Sequence, residues 1–391
     1  MADIFIDESK CDLCYKCKSV CPFEAIEEGK HGLEINAGCR MCRLCVQECP
    51  KQAIVLKQIG EPVPKDKWEG FLVFAEFFEG KLHPVTSELI GIGRKLARKV
   101  NMPVYCLLIG HRVGETPQKL LSYGVDEVFV YEDKRLEHVR VDVYANVFED
   151  LIWEIRPSVV LVGSTPIGRS LAPRVAIRFN TGLTADCTTL KIKPNADLVQ
   201  IRPAFGGNIM AEIITPNTRP QFATVRYKVM DNADVRVPFG VISKRAVTDR
   251  MISSGIEILN ITKKPGVSSI TEAKVLVVAG QGFKDKKDLS IVRETAALLG
   301  GEYAVTRPLV EKGWADHTRQ IGLSGRTVKP ELIITCGVSG AIQFTACMNA
   351  AGRIIAINTD RNAPIFKVSH IGIVGDIYKI LPALIERIKG A

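Results

Sequence analysis

The chain has 391 residues, 46% of them hydrophobic and 24% charged, which is too long for one ordinary core and too apolar for a disordered protein. Its formal net charge of +9 is spread along the sequence without like-charge blocks or aromatic-interleaved basic stretches, which argues against nucleic-acid binding and leaves a basic surface suited to an acidic or phosphate-bearing partner. The opening "MADIFIDESK" has neither the cationic start nor the apolar run of a signal peptide, and no apolar segment approaches a membrane span, so a cytoplasmic protein is expected.

Twelve cysteines in a reducing compartment are not expected to form disulfides. Eight fall in two runs, "CDLCYKCKSVCP" from residue 11 and "CRMCRLCVQECP" from residue 39, each reading C-x2-C-x2-C-x3-C-P. Residues 1–57 form an internal repeat: "DIFIDESKC" and "GLEINAGC" lead into the runs as short strands, while "PFEAIEEG" and "PKQAIVLK" leave them. Three thiolates two residues apart wrap one face of an iron–sulfide cube, and the fourth ligand must come from elsewhere. C-x2-C pairs also make tetrahedral zinc sites, but zinc would leave the third cysteine of each run unexplained. The doubled pattern resembles the two-cluster bacterial ferredoxins over the whole segment. That resemblance implies two [4Fe-4S] clusters, one held by Cys11, Cys14, Cys17 and Cys49, the other by Cys39, Cys42, Cys45 and Cys21. Pro22 and Pro50 would turn the chain away after each fourth ligand. The remaining Cys106, Cys187, Cys336 and Cys347 stand in apolar surroundings and read as small buried hydrophobes.

"KQIGEPVPKDKW" contains two prolines and alternating charges, and sets a linker at 58–68. Beyond it, apolar strands alternate with helical patterns. "GFLVFAEF", "PVYCLLIG", "VDEVFVYE" and "SVVLVGS" read as strands, with helices over 86–100, capped by Thr86, and over "VDVYANVFEDLIWEI". The alternation predicts an α/β domain with a parallel sheet over 69–253. "GSTPIGRSLAPRVAIRF" could place a phosphate at a helix N-terminus, but Gly163 and Gly168 lack the full dinucleotide fingerprint, so an ordinary strand-to-helix turn is favoured. From 182 to 246 shorter strands follow, "DLVQIRPAF" and "PQFATVRYKV", expected to add antiparallel to the sheet. The six dispersed histidines offer no metal site.

A second connector is expected at 254–273, around Pro265 and Gly266. A further α/β unit then occupies 274–391: "KVLVVAGQG" is a strand and glycine turn leading to a helix, "KPELIITCGVSGAIQFTACM" repeats the device, "GRIIAINTDRNAPIF" supplies another strand, and a helix from about Ile377 closes the chain. Such turns present backbone N–H groups at the carboxyl edge of a sheet, where dinucleotides bind.

"GLTADCT" (182–188), "GRTVKPELIITCGVSGAIQ" and "AINTDRNAPIF" (356–366) closely resemble the alpha subunits of electron-transfer flavoproteins, over roughly 69–391. The whole chain is similar to alpha subunits that carry an N-terminal ferredoxin extension and serve electron-bifurcating complexes, including the caffeyl-CoA reductase type. The resemblance implies parallel-sheet flavoprotein domains preceded by a small α+β ferredoxin-like domain, with FAD in the C-terminal domain. Arg307 matches the arginine lying against the isoalloxazine ring, where a permanent cation favours the anionic over the neutral form of the ring and tunes the one-electron potential. Thr306 matches its hydroxyl-bearing neighbour. Ile321, Gly322, Leu323 and Ser324 match the stretch wrapping the flavin, with the Ser324 hydroxyl near the redox edge. Ser339, Gly340, Ala341, Ile342, Gln343 and Phe344 match the turn that meets the phosphates and ribityl chain, and Asn358, Asp376 and Ile377 fall where adenosine is held. Two positions depart from the pattern: Gln281 stands where arginine is frequent, and Phe344 where histidine is common.

The function so implied is electron transfer in anaerobic metabolism. NADH would deliver two electrons to a flavin on a beta subunit; one would pass through this chain's FAD to a flavin-containing acyl-CoA dehydrogenase or enoyl-CoA reductase, the other to ferredoxin. The FAD domain of this family swings, and 254–273 would be the hinge. The alternatives are a simple carrier without bifurcation, a complex built on lactate dehydrogenase, a self-sufficient ferredoxin–NAD oxidoreductase, and an iron–sulfur protein without flavin. The chain is not expected to be an active enzyme alone.

Overall fold

The computed structural model describes residues 2–29, 32–36, 38–39, 42–58, 63–204, 209–262 and 269–390. Part of the expected linker (59–62) and of the expected hinge (263–268) therefore lies outside the described residues. The chain forms two compact units, Met1–Pro64 and Lys65–Ala391.

In the first unit, strand Ala2–Ile6 pairs antiparallel with Ile54–Gln58, and Ile26–Gly29 pairs antiparallel with Gly32–Ile35. The repeat in sequence is a repeat in structure. Tyr15 and Arg43 occupy the same place in the two cysteine runs, and both take left-handed backbone angles (φ 59° and 66°) before the short helices Lys16–Ser19 and Leu44–Glu48. Glu24 and Gln52 repeat the correspondence, with φ 49° and 50°. Each such residue costs on the order of 1 kcal/mol, so the cysteine loops are held to their shape by the surrounding packing. Ile4, Ile26, Leu33 and Ile54 form that packing together with Cys17 and Cys45.

The second unit holds a seven-stranded sheet in the order Leu183–Cys187, Gln221–Val225, Val159–Gly163, Phe71–Ala75, Val104–Gly110, Glu127–Glu132 and Val241–Arg245. All neighbours pair parallel. Every residue of Phe71–Ala75 is buried, as a central strand covered on both faces must be. Helices Val85–Ala97, Val141–Ile155 and Pro166–Arg178 cover it. A five-stranded parallel sheet follows, ordered Glu302–Val305, Val275–Ala279, Leu332–Cys336, Arg353–Asn358 and Ile371–Val374, with helices Leu289–Leu298 and Ile377–Lys389 packed together.

Three readings need correction. Gln221–Val225 is not antiparallel but an interior parallel strand, its polar side chains satisfied internally: the Gln221 side-chain Oε1 accepts the Leu198 N–H at 2.8 Å, and the Thr224 hydroxyl accepts the Asp186 N–H at 2.9 Å. Leu198–Ala204 is antiparallel, but in a separate three-stranded sheet with Thr189–Ile192 and Ile209–Ile213. Thr86 does not cap its helix, which starts at Val85; its hydroxyl lies inside and accepts the Glu76 N–H at 3.2 Å. The four scattered cysteines are buried, as expected.

Candidate iron–sulfur and flavin sites

The first cysteine cavity is lined by Cys11, Cys14, Cys17 and Cys49, with Ile6, Leu33 and Ile54 as its apolar wall. The second is lined by Cys21, Cys39, Cys42 and Cys45, walled by Ile4, Ile26 and Ile35. Each cavity thus takes three thiols from one run and the fourth from the other. Among the described residues no three His, Cys, Asp or Glu side chains converge on a single-ion position. Four thiols around each cavity are the all-thiolate donor set that a [4Fe-4S] cluster takes. Burial pushes the Cys17 and Cys45 thiols up, and neighbouring cysteines of the same quartet add to the shift. A bound metal reverses this, because a coordinating thiol is deprotonated outright. The fourth sulfur of each run also accepts a backbone N–H: Ala25 donates to Cys21 Sγ at 3.4 Å, and Ala53 to Cys49 Sγ at 3.3 Å. Such bonds stabilise negative charge on sulfur and so help to set a cluster's potential. They were not legible in the runs themselves.

In the five-stranded sheet, Glu302–Val305 lies on one side of Val275–Ala279 and Leu332–Cys336 on the other, so the chain reverses direction across the sheet there. Crevices at such switch points, at the carboxyl ends of the strands, bind dinucleotides. The loops after the two central strands are tied together: Gly280 donates to the Cys336 carbonyl at 2.9 Å and Gly282 to the Gly337 carbonyl at 3.0 Å. Around them opens a cleft of about 680 Å³, well inside the range of roughly 300–1,000 Å³ usual for small-molecule sites.

Of the expected flavin residues, Gln281, Thr306, Arg307, Ile321, Gly322, Leu323, Ser324, Ser339, Ala341, Gln343, Phe344 and Asn358 line this cleft. Gly340, Ile342, Asp376 and Ile377 do not. Gly340 (φ 88°) packs against the backbone of Ile365, where a side chain would collide. Ile342 is exposed, and Ile377 is buried in the core. Asp376 caps the last helix by accepting the Tyr378 N–H at 2.9 Å. Gly282, Pro308, Gln320, Gly337, Val338, Asp360, Ala363 and Pro364 also line the cleft and were not anticipated. They come from the same strand-end loops, so the strand order would have pointed to them.

The cleft's chemistry divides in two. Ile321, Leu323, Val338 and Phe344 offer apolar surface for a flat ring, while Arg307, Ser324, Ser339, Gln343 and Gln281 offer polar groups. The 321–324 loop is braced: Leu323 donates to the Gln343 carbonyl at 3.0 Å, and Gln320 Nε2 donates to the Ser324 hydroxyl at 2.8 Å. Asn358 Nδ2 donates to the Val338 carbonyl at 2.8 Å, fastening two cleft loops to each other. Arg307 pairs with Glu311 at 2.7 Å and stays 67% exposed, a solvent-facing cation at the cleft rather than a buried one. Residues of this kind fit FAD. Bound FAD would supply the one- and two-electron chemistry; Ile321, Leu323, Val338 and Phe344 would offer it apolar surface and Arg307 a positive charge at the cleft.

Fold and sites together define a flavoprotein with an attached dicluster iron–sulfur domain. Comparison with known proteins agrees: residues 71–249 match the electron transfer flavoprotein domain, 269–349 the electron transfer flavoprotein FAD-binding domain, and 3–67 the 4Fe-4S dicluster domain. The chain is 50% identical over 374 residues to the lactate dehydrogenase (NAD(+),ferredoxin) subunit LctC of Acetobacterium woodii, covering 95% of this chain and 89% of that one. It is 44% identical to protein FixB of Clostridium saccharobutylicum over 82% of this chain and 97% of that one. With the electron transfer flavoprotein subunit alpha of Clostridium acetobutylicum the identity is 42%, over 84% and 99%. The chain belongs to the electron-transfer flavoprotein alpha-subunit family and is an electron-transfer subunit with an FAD-binding domain and a domain for two [4Fe-4S] clusters. Alpha subunits of this family pair with a beta subunit. Among the described residues no helix is long and apolar enough to cross a membrane.

Proposed function

We propose that this chain is the alpha subunit of a cytoplasmic electron-bifurcating complex in which a beta subunit, a flavin dehydrogenase and ferredoxin are its partners. One observation carries the reading: a flavin cleft and two cysteine-lined cavities stand in one chain, and the 50% identity to a subunit of an NAD- and ferredoxin-linked lactate dehydrogenase extends over 95% of it. A match of that extent includes most of the cysteine domain. In this reading Cys11, Cys14, Cys17 and Cys49 hold one cluster, and Cys39, Cys42, Cys45 and Cys21 the other. The cleft residues from Gln281 to Asn358 hold FAD, with Arg307 tuning it. The iron–sulfur domain is a wire between this flavoprotein and ferredoxin.

Because that relative belongs to a lactate dehydrogenase, lactate is the first substrate to test, ahead of an enoyl-CoA of the caffeyl-CoA kind. The experiment combines the chain, its beta subunit and its dehydrogenase anaerobically. Lactate-dependent NAD+ reduction that requires reduced ferredoxin supports the proposal with lactate as substrate. Ferredoxin reduction by NADH only when an enoyl-CoA is present supports it with the other substrate class. Turnover indifferent to ferredoxin would make the chain a simple carrier, and NADH oxidation by the chain alone would make it a self-sufficient oxidoreductase.

A further inference from the structure

The "GLTADCT" motif has no part in the flavin cleft, yet its aspartate is held in an unusual way. Asp186 has φ 60°, left-handed for a residue that is not glycine, at a register shift between Thr184 and Cys187 where the edge strand leaves its partner. Bulges of this kind re-aim a side chain, and backbone strain persists only where the surroundings enforce it. Here the Asp186 N–H is fastened to the Thr224 hydroxyl, and the carboxylate is turned between two arginines. Arg169, half exposed, grips it from the solvent side with Nε and Nη2, both at 3.1 Å. Arg226, 9% exposed, donates to it from within at 3.3 Å.

Arg226 sits just beyond strand Gln221–Val225, its own N–H bonded to the Cys187 carbonyl at 3.0 Å. Its guanidinium leaves the seven-stranded sheet's domain and enters the FAD-binding one. Nη2 also donates to the Leu323 carbonyl at 3.1 Å, and Nη1 lies 3.6 Å from Cys347 Sγ. Leu323 lines the flavin cleft, and Cys347 packs in the same core as the cleft residue Phe344. Among the described residues Nε has no hydrogen-bond partner, so this buried cation is imperfectly satisfied where a well-packed apolar side chain would stabilise at least as well. What the cation adds is a directed, charge-assisted bond to one carbonyl of the loop that wraps the cleft.

We propose that Asp186 and Arg226 form a latch in which the aspartate aims the arginine and the arginine, through the Leu323 carbonyl, positions the flavin-lining loop Ile321–Ser324 from the neighbouring domain. Arg226 is thereby a positioning residue: it does not line the flavin cleft. Among the described residues, the ion pair Lys329–Asp231 between the same two domains and Lys228–Glu272 to the connector each have an exposed carboxylate, whereas the latch is buried. The inference rests on the FAD-binding role of the cleft and is independent of which dehydrogenase the complex serves.

The test uses the full FAD-loaded chain and reads hydrogen exchange of the amides of Leu323, Gly325 and Arg326, which report closure of the loop through their own backbone bonds. Arg226→Met should speed their exchange by about tenfold or more, shift the flavin's one-electron midpoint potential and visible circular dichroism, and leave exchange in strand Leu332–Cys336 unchanged. Arg226→Lys, which can still reach the carbonyl, should restore most of the protection. Arg169→Met removes the exposed partner of Asp186 and should leave the loop as it is. Should Arg226→Met fail to fold, Asp186→Asn decides by the same readouts, with a smaller rise in exchange expected. Unchanged exchange and potential in a folded, FAD-replete Arg226→Met or Asp186→Asn protein would overturn the proposal. So would an equal loosening by Arg169→Met.

Discussion

Gly282 donates its backbone N–H to the Gly337 carbonyl at 3.0 Å, and the two residues are so close that a Cβ on Gly282 would stand 2.8 Å from the Gly337 Cα. Gly337 itself has φ 63°. The contact joins the loops after the two central strands of the five-stranded sheet, and both glycines line the flavin cleft.

A methyl group at 282 would therefore push apart two backbones that have no flexible side chain to yield. Gly282→Ala should destabilise the FAD-binding domain by about 1–3 kcal/mol and reduce FAD retention, read as flavin absorbance per polypeptide after gel filtration. Gly300→Ala, also glycine in a turn but with open space around its missing Cβ, should keep its FAD and lose only some stability from its φ of 64°. Equal FAD loss in both variants would mean that loop closeness is not what holds the cofactor.

The crossing of the cysteine quartets makes a prediction about pairs rather than single residues. Cys14→Ala and Cys49→Ala line one cavity, and Cys42→Ala the other. Each single variant should lose about half the cluster iron. Combining Cys14→Ala with Cys49→Ala should cost no more than either alone, because both strike the same cluster. Combining Cys42→Ala with Cys49→Ala should remove nearly all of it. Iron analysis of anaerobically purified protein decides, and the reverse pattern of additivity would mean that each run holds its own cluster.

How much of these sites is legible in the sequence depends on whether the signal is local. The cysteine runs announce themselves by spacing, and the apolar strand Phe71–Ala75 by an unbroken run. Gln221–Val225 is deceptive in sequence because Gln221 and Thr224 resemble solvent-facing positions, and only the distant Leu198 and Asp186 N–H groups explain their burial. The short strands Glu302–Val305 and Ile371–Val374 have too few residues to show a period, yet they complete the sheet that sets the cleft. Asp360 and Pro364 enter the site through strand order, which no window of sequence contains. Asp376 and Ile377 show the converse: placed by family position, they turn out to cap and fill the core at the start of the last helix.

Arg307 carries the simplest electrostatic prediction. A cation at the cleft mouth favours reduction of a neighbouring ring to an anionic form, and its exposure limits the effect by solvent screening. Arg307→Ala should make the flavin potential more negative by tens of millivolts, on the order expected for a screened unit charge at contact distance. Arg307→Lys should move it less, since the charge remains. Redox titration of the FAD-loaded chain reads both, and an equal shift in the two variants would assign the effect to guanidinium geometry instead of charge.

The buried Glu76 links stability to pH. It lies at the carboxyl end of strand Phe71–Ala75, 5% exposed, and accepts the Thr165 hydroxyl at 2.5 Å while Thr165 caps the helix Pro166–Arg178. Burial pushes its carboxyl up to about 7 from an ordinary 4.5, against the opposing pull of the Thr165 hydrogen bond. Glu88, also buried, is pushed up to about 7 by the same cause, opposed by the N–H groups of Lys228 and Met230. A carboxyl whose folded pKa is raised binds its proton more tightly in the native state, so its contribution is most favourable below pH 4.5 and is lost as pH rises to about 7. The loss at Glu76 is at most about 3 kcal/mol. The wild-type chain should therefore lose urea resistance between pH 5 and roughly 7.5. Glu76→Gln keeps an acceptor for the Thr165 hydroxyl but carries no charge. It should match wild type near pH 4 and be more stable above pH 7, the residual slope belonging to Glu88. A Glu76→Gln variant that is less stable than wild type at pH 8 would show that the charged carboxylate, and not the proton, is what this end of the sheet requires.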